Sequence, residues 1–225
     1  MGLGEVKEAE GYRERIARRA AMEVEDGMII NLGIGIPTLV ADYIPADKRV
    51  MFHAENGILG TGPSPARGEE NPMLCNAGGF PVTLVKGASF FDSATAFAII
   101  RRGLLDMTIL GVLEVSQSGD IANWIVPGKR VPGMGGAMEL AQKAKKVLVV
   151  TTHLDKNGRS KIVRECSLPL TAKSAASMII TDMAVMEVRP DGLYLTEVMY
   201  PYSVADVIGA TEAELKVEGD VAVFR

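Results

Sequence analysis

Three short stretches of this chain carry residue types and spacings that could do chemistry. The first is Glu55-Asn56-Gly57, which follows the apolar run Arg49–His53. Asn-Gly turns a chain sharply, so Glu55 stands at a strand tip beside a glycine, where a carboxylate can meet a substrate with little obstruction. A solvated turn glutamate would look the same locally. The second is Gly133-Met134-Gly135-Gly136, just before a helical pattern. Clustered glycines there expose backbone N–H groups able to stabilise an oxyanion, or simply turn a loop into a helix. The third is Gly33-Ile34-Gly35-Ile36-Pro37-Thr38, which leaves a strand and opens a helix, the setting of a phosphate-cradling turn. A dinucleotide fingerprint would need a third glycine where Thr38 stands, although the acidic residue it wants about twenty positions later would be Glu55. A nicotinamide-dependent oxidoreductase and a tight turn with no ligand therefore both stay open on these residues.

Other chemistries find little support. Gly128-Lys129 is followed by Arg130 and lacks the upstream glycine of a phosphate loop. Gly62-Pro63-Ser64-Pro65-Ala66 has no closing glycine and sets proline on both sides of its serine, unlike a nucleophile elbow. His53-Ala54-Glu55 imitates the start of a zinc-deaminase signature, but no Pro-Cys-x-x-Cys follows. With His53 and His153 as the only histidines, no metal site of recognisable spacing is expected. Cys75 and Cys166 form no CxxC pair and read as buried or incidental thiols of a reducing compartment.

The bulk numbers fit this picture. The chain has 225 residues, 48% hydrophobic and 23% charged, ordinary for a globular protein able to bury roughly 70–75% of its unfolded surface. We expect a single domain over residues 1–225. A net charge of −4 without a basic tract argues against a nucleic-acid surface. The charged N-terminal stretch is no signal peptide, and no apolar run reaches the roughly 18 residues of a spanning helix, so a cytoplasmic protein without a membrane partner is expected.

The elements that must position these residues can be read from periodicity. Tyr12, Ile16, Ala20 and Val24 predict a helix over 8–26, closed by Gly27. Met28–Leu32 and Arg49–His53 read as strands, with a helix from Pro37 to about Tyr43. Residues 57–79 form a long glycine- and proline-rich loop of the kind that is usually functional or mobile. Strands are expected at 81–86, 107–115 and 147–151, helices at 93–102 and 137–145, and a short run at 121–126. Several strands are continuously apolar, which predicts an open, mostly parallel sheet with helices on both faces. The closely spaced segments 161–164, 178–180, 184–188 and 193–198 suggest antiparallel strands in the last third, before a last short helix at 203–209.

Taken together, the stretches NLGIGIPT (31–38), ENGILGTGP (55–63), NAGG (76–79), GASFFDSATAFAIIR (87–101), ANWIVPGKRVPGMGGAMEL (122–140) and LPLTAK (168–173) resemble the β subunit of the class I, 3-oxoacid type CoA-transferases. They occur in the family's order and cover most of residues 13–200. The resemblance implies a ribose-phosphate isomerase-like α/β fold and a ping-pong reaction on Glu55, passing through an acyl-glutamyl anhydride and a glutamyl-CoA thioester. Backbone amides of Gly135 and Gly136 would support the oxyanion. Gly33, Gly35, Asn56, Asn76, Lys129, Gly133 and Met134 are the candidates for holding CoA or the acid. Coenzyme A would be a substrate, with no permanently bound cofactor. The family's second half implies a separate α subunit, in an assembly expected to be α2β2.

Departures from the family pattern fall on substrate choice rather than on Glu55. Ala54 stands where serine is common, and Gly79 where succinyl-CoA-using members tend to carry lysine. Arg101-Arg102-Gly103-Leu104 replaces a frequent Arg-Gly-Gly-His. The acid is expected to be short, 3-oxo or aliphatic. A noncatalytic subunit on the same fold is the other reading the resemblance leaves.

Overall fold

The computed structural model describes residues 3–128, 131 and 133–225, with side chains from residue 11 onward. Helix α1 (Leu3–Ala21) is followed by strand β1 (Ile29–Leu32), the short helix α2 (Ile36–Leu39), a 3₁₀ turn (Val40–Tyr43), and strands β2 (Met51–Ala54), β3 (Ile58–Thr61) and β4 (Leu84–Phe90). Helix α3 (Ser93–Arg101), strands β5 (Met107–Gly111), β6 (Glu114–Ser116) and β7 (Ile121–Ala122), helix α4 (Ala137–Lys143) and strand β8 (Lys146–Val150) come next. The last third comprises β9 (Ile162–Val163), β10 (Met178–Ile180), β11 (Ala184–Arg189), β12 (Gly192–Met199), α5 (Val204–Ala210) and β13 (Leu215–Phe224).

Ten strands form one sheet in the order β13-β12-β11-β10-β8-β5-β1-β2-β3-β4. Its centre, from β10 through β8, β5 and β1 to β2, is parallel. Antiparallel pairing appears in the last third, at β10–β11–β12. It also appears at the opposite margin, β2–β3–β4, where it was not expected. The central strands are mostly apolar because both faces are covered, with Asn31, His53 and Thr108 as buried polar exceptions. Met107, Ile109, Leu148 and Val150 pack toward α1 and Val40. Leu110, Val147, Val149 and Ile179 face the other way, toward Ala141 of α4 and Val207 of α5. A small sheet, β7-β6-β9, joins that second face.

Several expected boundaries moved. Helix α1 ends at Ala21, short of Asp26, because Met22, Glu23 and Val24 donate to carbonyls three residues back and tighten the last turn. The strand expected over 107–115 is two, β5 and β6, which belong to different sheets. The loop over 57–79 contains β3, and the strand expected at 81–86 is β4, displaced to Leu84–Phe90. Strand β13 had no counterpart in the sequence reading.

After β1 the chain crosses the face carrying α1 and returns to β2. After β5 it crosses the opposite face through the small sheet and α4, and returns to β8. The connections thus diverge at the C-terminal ends of β1 and β5, leaving a crevice at that edge of the sheet, where ligands of open α/β folds bind.

Candidate functional site

A cavity of about 500 Å³ occupies this crevice. Gly33 and Ile34 after β1, Leu110 and Gly111 at the end of β5, and Glu55 after β2 meet in it. Glu55 opens the connection Glu55-Asn56-Gly57 between β2 and β3, closed by the Gly57 amide donating to Ala54 O at 3.0 Å. Gly57 has φ of +109°, and a Cβ there would lie 2.0 Å from the Phe91 carbonyl oxygen. Only glycine permits this hairpin to pack against the segment entering α3.

The carboxylate is held from two sides. Asn31, 1% exposed on β1, donates from Nδ2 to Glu55 Oε2 and to the His53 carbonyl oxygen, both at 3.0 Å. Its Oδ1 accepts from Thr108 Oγ1 on β5 at 3.3 Å. Both of the groups facing Nδ2 can only accept, so the amide orientation is determined by its surroundings. On the other side lies Gly136, the buried residue preceding α4. A Cβ added to Gly136 would stand 3.2 Å from both Cγ and Oε1 of Glu55, and 3.4 Å from Phe97 of α3. Gly136 lets the helix approach the nucleophile candidate this closely.

Beneath Glu55, and on the same side of the strand, His53 is 2% exposed. Its ring stacks loosely on Phe91, with centroids 6.1 Å apart, and neither ring nitrogen has a partner among the described residues. Burial pushes its pKa below the usual imidazole value, and the Glu55 charge opposes this less strongly. The ring is therefore neutral at ordinary pH. The other histidine, His153, plays no part in this chemistry: its two nitrogens engage the Thr181 and Thr211 hydroxyls at 3.0 and 2.9 Å.

Of the residues singled out in the sequence, the cavity is lined by Glu55, Gly33, Asn76, Gly133, Met134, Gly135 and Gly136. Asn76 Oδ1 accepts from the amides of Gly78 and Phe80 at 2.9 and 3.0 Å, so that side chain is occupied in holding its own turn. Asn56 is turned away from the cavity and donates to the Cys75 carbonyl at 2.8 Å, tying the hairpin to the 57–79 segment. Gly35 also lies outside the lining; with φ of +94° it supplies the bend before α2. Lys129 falls outside the described residues. Among the described residues, neither the Gly135 nor the Gly136 amide donates to a backbone carbonyl.

The sequence reading missed Asn31, Thr108 and Asp42. An asparagine within the apolar run 28–32 was the signal for the first. Thr108 sits in an apolar strand with nothing to distinguish it, and Asp42 looks like any exposed helix residue although it lines the cavity. The nicotinamide reading fails here. Glu55 accepts a hydrogen bond from Asn31 and lies close beside Gly136 rather than standing free for a ribose beyond the glycine turn. The four-residue α2 that follows this turn is too short to offer a strong dipole. Among the described residues no group of three or more His, Cys, Asp or Glu could hold a metal ion, and no helix is long and apolar enough to cross a membrane.

A covered α/β sheet with a carboxylate held over a glycine loop at its switch point defines the class, and comparison with known proteins identifies it. Residues 13–210 match the family described as Coenzyme A transferase, and the chain belongs to that family. It is 57% identical, over 97% of its own length and 98% of the other's, to the β subunit of a probable coenzyme A transferase of Bacillus subtilis. It is 49% identical to one subunit of the succinyl-CoA:3-ketoacid coenzyme A transferase of Helicobacter pylori, over 91% of this chain and 99% of that one. Among solved structures, the acyl-CoA transferase YdiF from Escherichia coli O157:H7 superposes with a TM-score of 0.74 at 21% identity. That likeness is one of fold. It covers 95% of this chain but 43% of the longer YdiF chain, so this chain spans less than half of that protein.

Proposed function

We propose that this chain is the nucleophile-bearing β subunit of an enzyme that moves CoA between an acyl-CoA and a short carboxylic acid. The observation that carries the reading is the Glu55 carboxylate, seated on Gly136 and hydrogen-bonded by Asn31 in the cavity at the sheet's switch point. Both full-length relatives above are named as single subunits of larger enzymes. A separate α chain is accordingly the expected partner, in an α2β2 assembly, with residues 1–225 acting as one domain.

In the first step a Glu55 oxygen attacks the thioester carbonyl, and the C–S bond breaks to release CoA thiolate and leave an acyl-glutamyl anhydride. The thiolate then attacks the glutamyl carbonyl, releasing the first acid as a carboxylate and leaving glutamyl-CoA. The acceptor carboxylate runs the two steps in reverse. In each addition negative charge grows on a carbonyl oxygen. When the thiolate attacks the glutamyl carbon, that oxygen is one of Glu55's own, and Asn31 Nδ2 already stands 3.0 Å from Oε2. The amides of Gly135 and Gly136 are the candidates to serve the oxygen of the substrate acyl group. Preorganised donors of this kind need not reorient during reaction.

A carboxylate is a weak nucleophile and an anhydride lies uphill, so binding energy from the remote parts of CoA must be used at the reacting centre. Hydrolysis of either intermediate would dissipate the thioester, and the buried apolar side chains Val82, Leu110 and Leu140 in the lining limit the water near Glu55. CoA acts as substrate and no resident cofactor is required by these steps. The test is to co-express the chain with its α partner, incubate with butyryl-CoA or acetoacetyl-CoA, trap with borohydride or hydroxylamine, and locate the product by mass spectrometry. A CoA-dependent change on Glu55 that disappears in Glu55→Gln is expected. No change on any carboxylate with a folded partner present would leave a noncatalytic role.

A further inference from the structure

We infer that Asp42 is a specificity-determining residue that turns this site against acyl groups carrying a second carboxylate. The inference rests on the CoA-transfer reading and adds to it the charge class of the acid. Asp42 lies in the 3₁₀ turn Val40–Tyr43 and lines the same cavity as Glu55. It is exposed, and among the described residues it has neither a hydrogen-bond donor nor a cation within ion-pair distance. Ala41, Phe52 and Val82, in the same lining, are apolar. Among the described lining residues, Glu55 and Asp42 are the acidic side chains and none is lysine or arginine.

An acyl chain buried here therefore shares the cavity with two carboxylates. A neutral acyl group meets apolar surface. An acyl group ending in a carboxylate brings a third negative charge into a space of about 500 Å³, with no described cation to receive it. Lys129 and Arg130 lie outside the described residues, so the decisive comparison is between the enzyme with the Asp42 charge and the enzyme without it. Two unit charges roughly 8 Å apart, at an effective dielectric between those of a protein surface and water, repel enough to change a rate or binding constant about fivefold. Part of this is screened by salt, because Asp42 faces solvent.

One relative that is 49% identical is named for succinyl-CoA, whose acyl group ends in the very charge that Asp42 would repel. Overall similarity and local charge therefore point to different substrates, and the charge is the feature that lines the cavity.

The measurement is the ratio of kcat/KM for succinyl-CoA to that for butyryl-CoA, on the enzyme purified with its partner chain and with acetate as acceptor. The wild-type ratio is expected well below one and to rise with ionic strength. Asp42→Asn should raise the ratio about fivefold, and Asp42→Ser, which removes the charge with a different shape, should raise it similarly. A ratio unchanged in both variants overturns the inference. So does an equal change for both thioesters, which would place Asp42 against the CoA phosphates they share. Absence of transfer from either thioester would instead refute the CoA-transfer reading, and the inference with it.

Discussion

Replacing Asn31 with alanine tests the site most directly, because one side chain serves both Glu55 and the strand beneath it. The change removes a donor 3.0 Å from Glu55 Oε2 and another 3.0 Å from the His53 carbonyl. Two effects oppose each other. Losing a hydrogen bond to the ground-state carboxylate makes it more basic, which favours its first attack. Losing the donor also frees the side chain to leave its seat on Gly136, and removes stabilisation from the oxyanion formed when thiolate adds to the glutamyl carbonyl. The second effect should win. A hydrogen bond to a charged group contributes about 1.5–3 kcal/mol, and a single oxyanion donor is typically worth about 100-fold or more in kcat. We expect kcat to fall roughly 100-fold, with a slower build-up of the CoA-dependent mass on Glu55 after mixing with butyryl-CoA. Thermal unfolding should show a modest loss, since Asn31 is otherwise surrounded by an intact parallel sheet. A folded Asn31→Ala enzyme with kcat within about threefold of wild type, against the 100-fold expected of an oxyanion donor, would refute the assignment. Asn31→Asp gives an independent check. It would set two carboxylates at hydrogen-bond distance, forcing them to share a proton and raising the upper apparent pKa of the pair. Activity lost at neutral pH should return as pH rises.

Other expectations concern neighbouring parts of the fold. Gly136→Ala pushes a methyl to within 3.2 Å of Glu55 Cγ and Oε1; displacing the nucleophile by a few tenths of an ångström should cost roughly tenfold in kcat/KM while Tm hardly changes. Gly57→Ala meets both a φ of +109° and a 2.0 Å clash with the Phe91 carbonyl, so it should destabilise the protein by about 3 kcal/mol or more in denaturant unfolding. Arg19 is 5% exposed and pairs with Glu23 and Glu197. Arg19→Ala takes from Glu197 the cation it pairs with among the described residues, while Glu23 keeps Lys146 at 2.6 Å, and should cost about 3 kcal/mol. Burial pushes the His153 imidazole down to about 4. An unfolded imidazole titrates near 6.5, so below that pH the unfolded state binds the extra proton and stability falls. The loss should reach about 3 kcal/mol by pH 4, and His153→Gln should flatten that part of the stability profile.

Much of the site was legible before the fold was known. Glu55-Asn56-Gly57 announces a sharp turn because its residue types restrict the local backbone, and Gly133-Met134-Gly135-Gly136 does so for the loop entering α4. The alternation of apolar strands with helical patterns likewise revealed the covered parallel sheet. Strand β3 escaped because Gly57 and Gly62 flank it and Gly60 lies within it, and each belongs to a close backbone approach rather than to a flexible loop. Strand β13 escaped because it is an edge, where charges such as Lys216, Glu218 and Asp220 interrupt the apolar pattern.

What the sequence by itself determined is therefore local: turns, glycine loops, the period of each element, and the nucleophile candidate at a strand tip. These follow from backbone preferences and burial periodicity within a few residues. The tertiary structure decided which distant residues share the cavity. Asn31 meets Glu55 only because β1 and β2 pair in parallel with Asn31 opposite His53. Thr108 completes that network because β5 lies on the other side of β1. Gly136 reaches the carboxylate because α4 packs over this face, and Asp42 enters the same cavity because the chain turns to the opposite face after β1. Hydrogen bonds and repulsion act over a few ångströms of space regardless of separation along the chain, so strand order and crossover direction decide them.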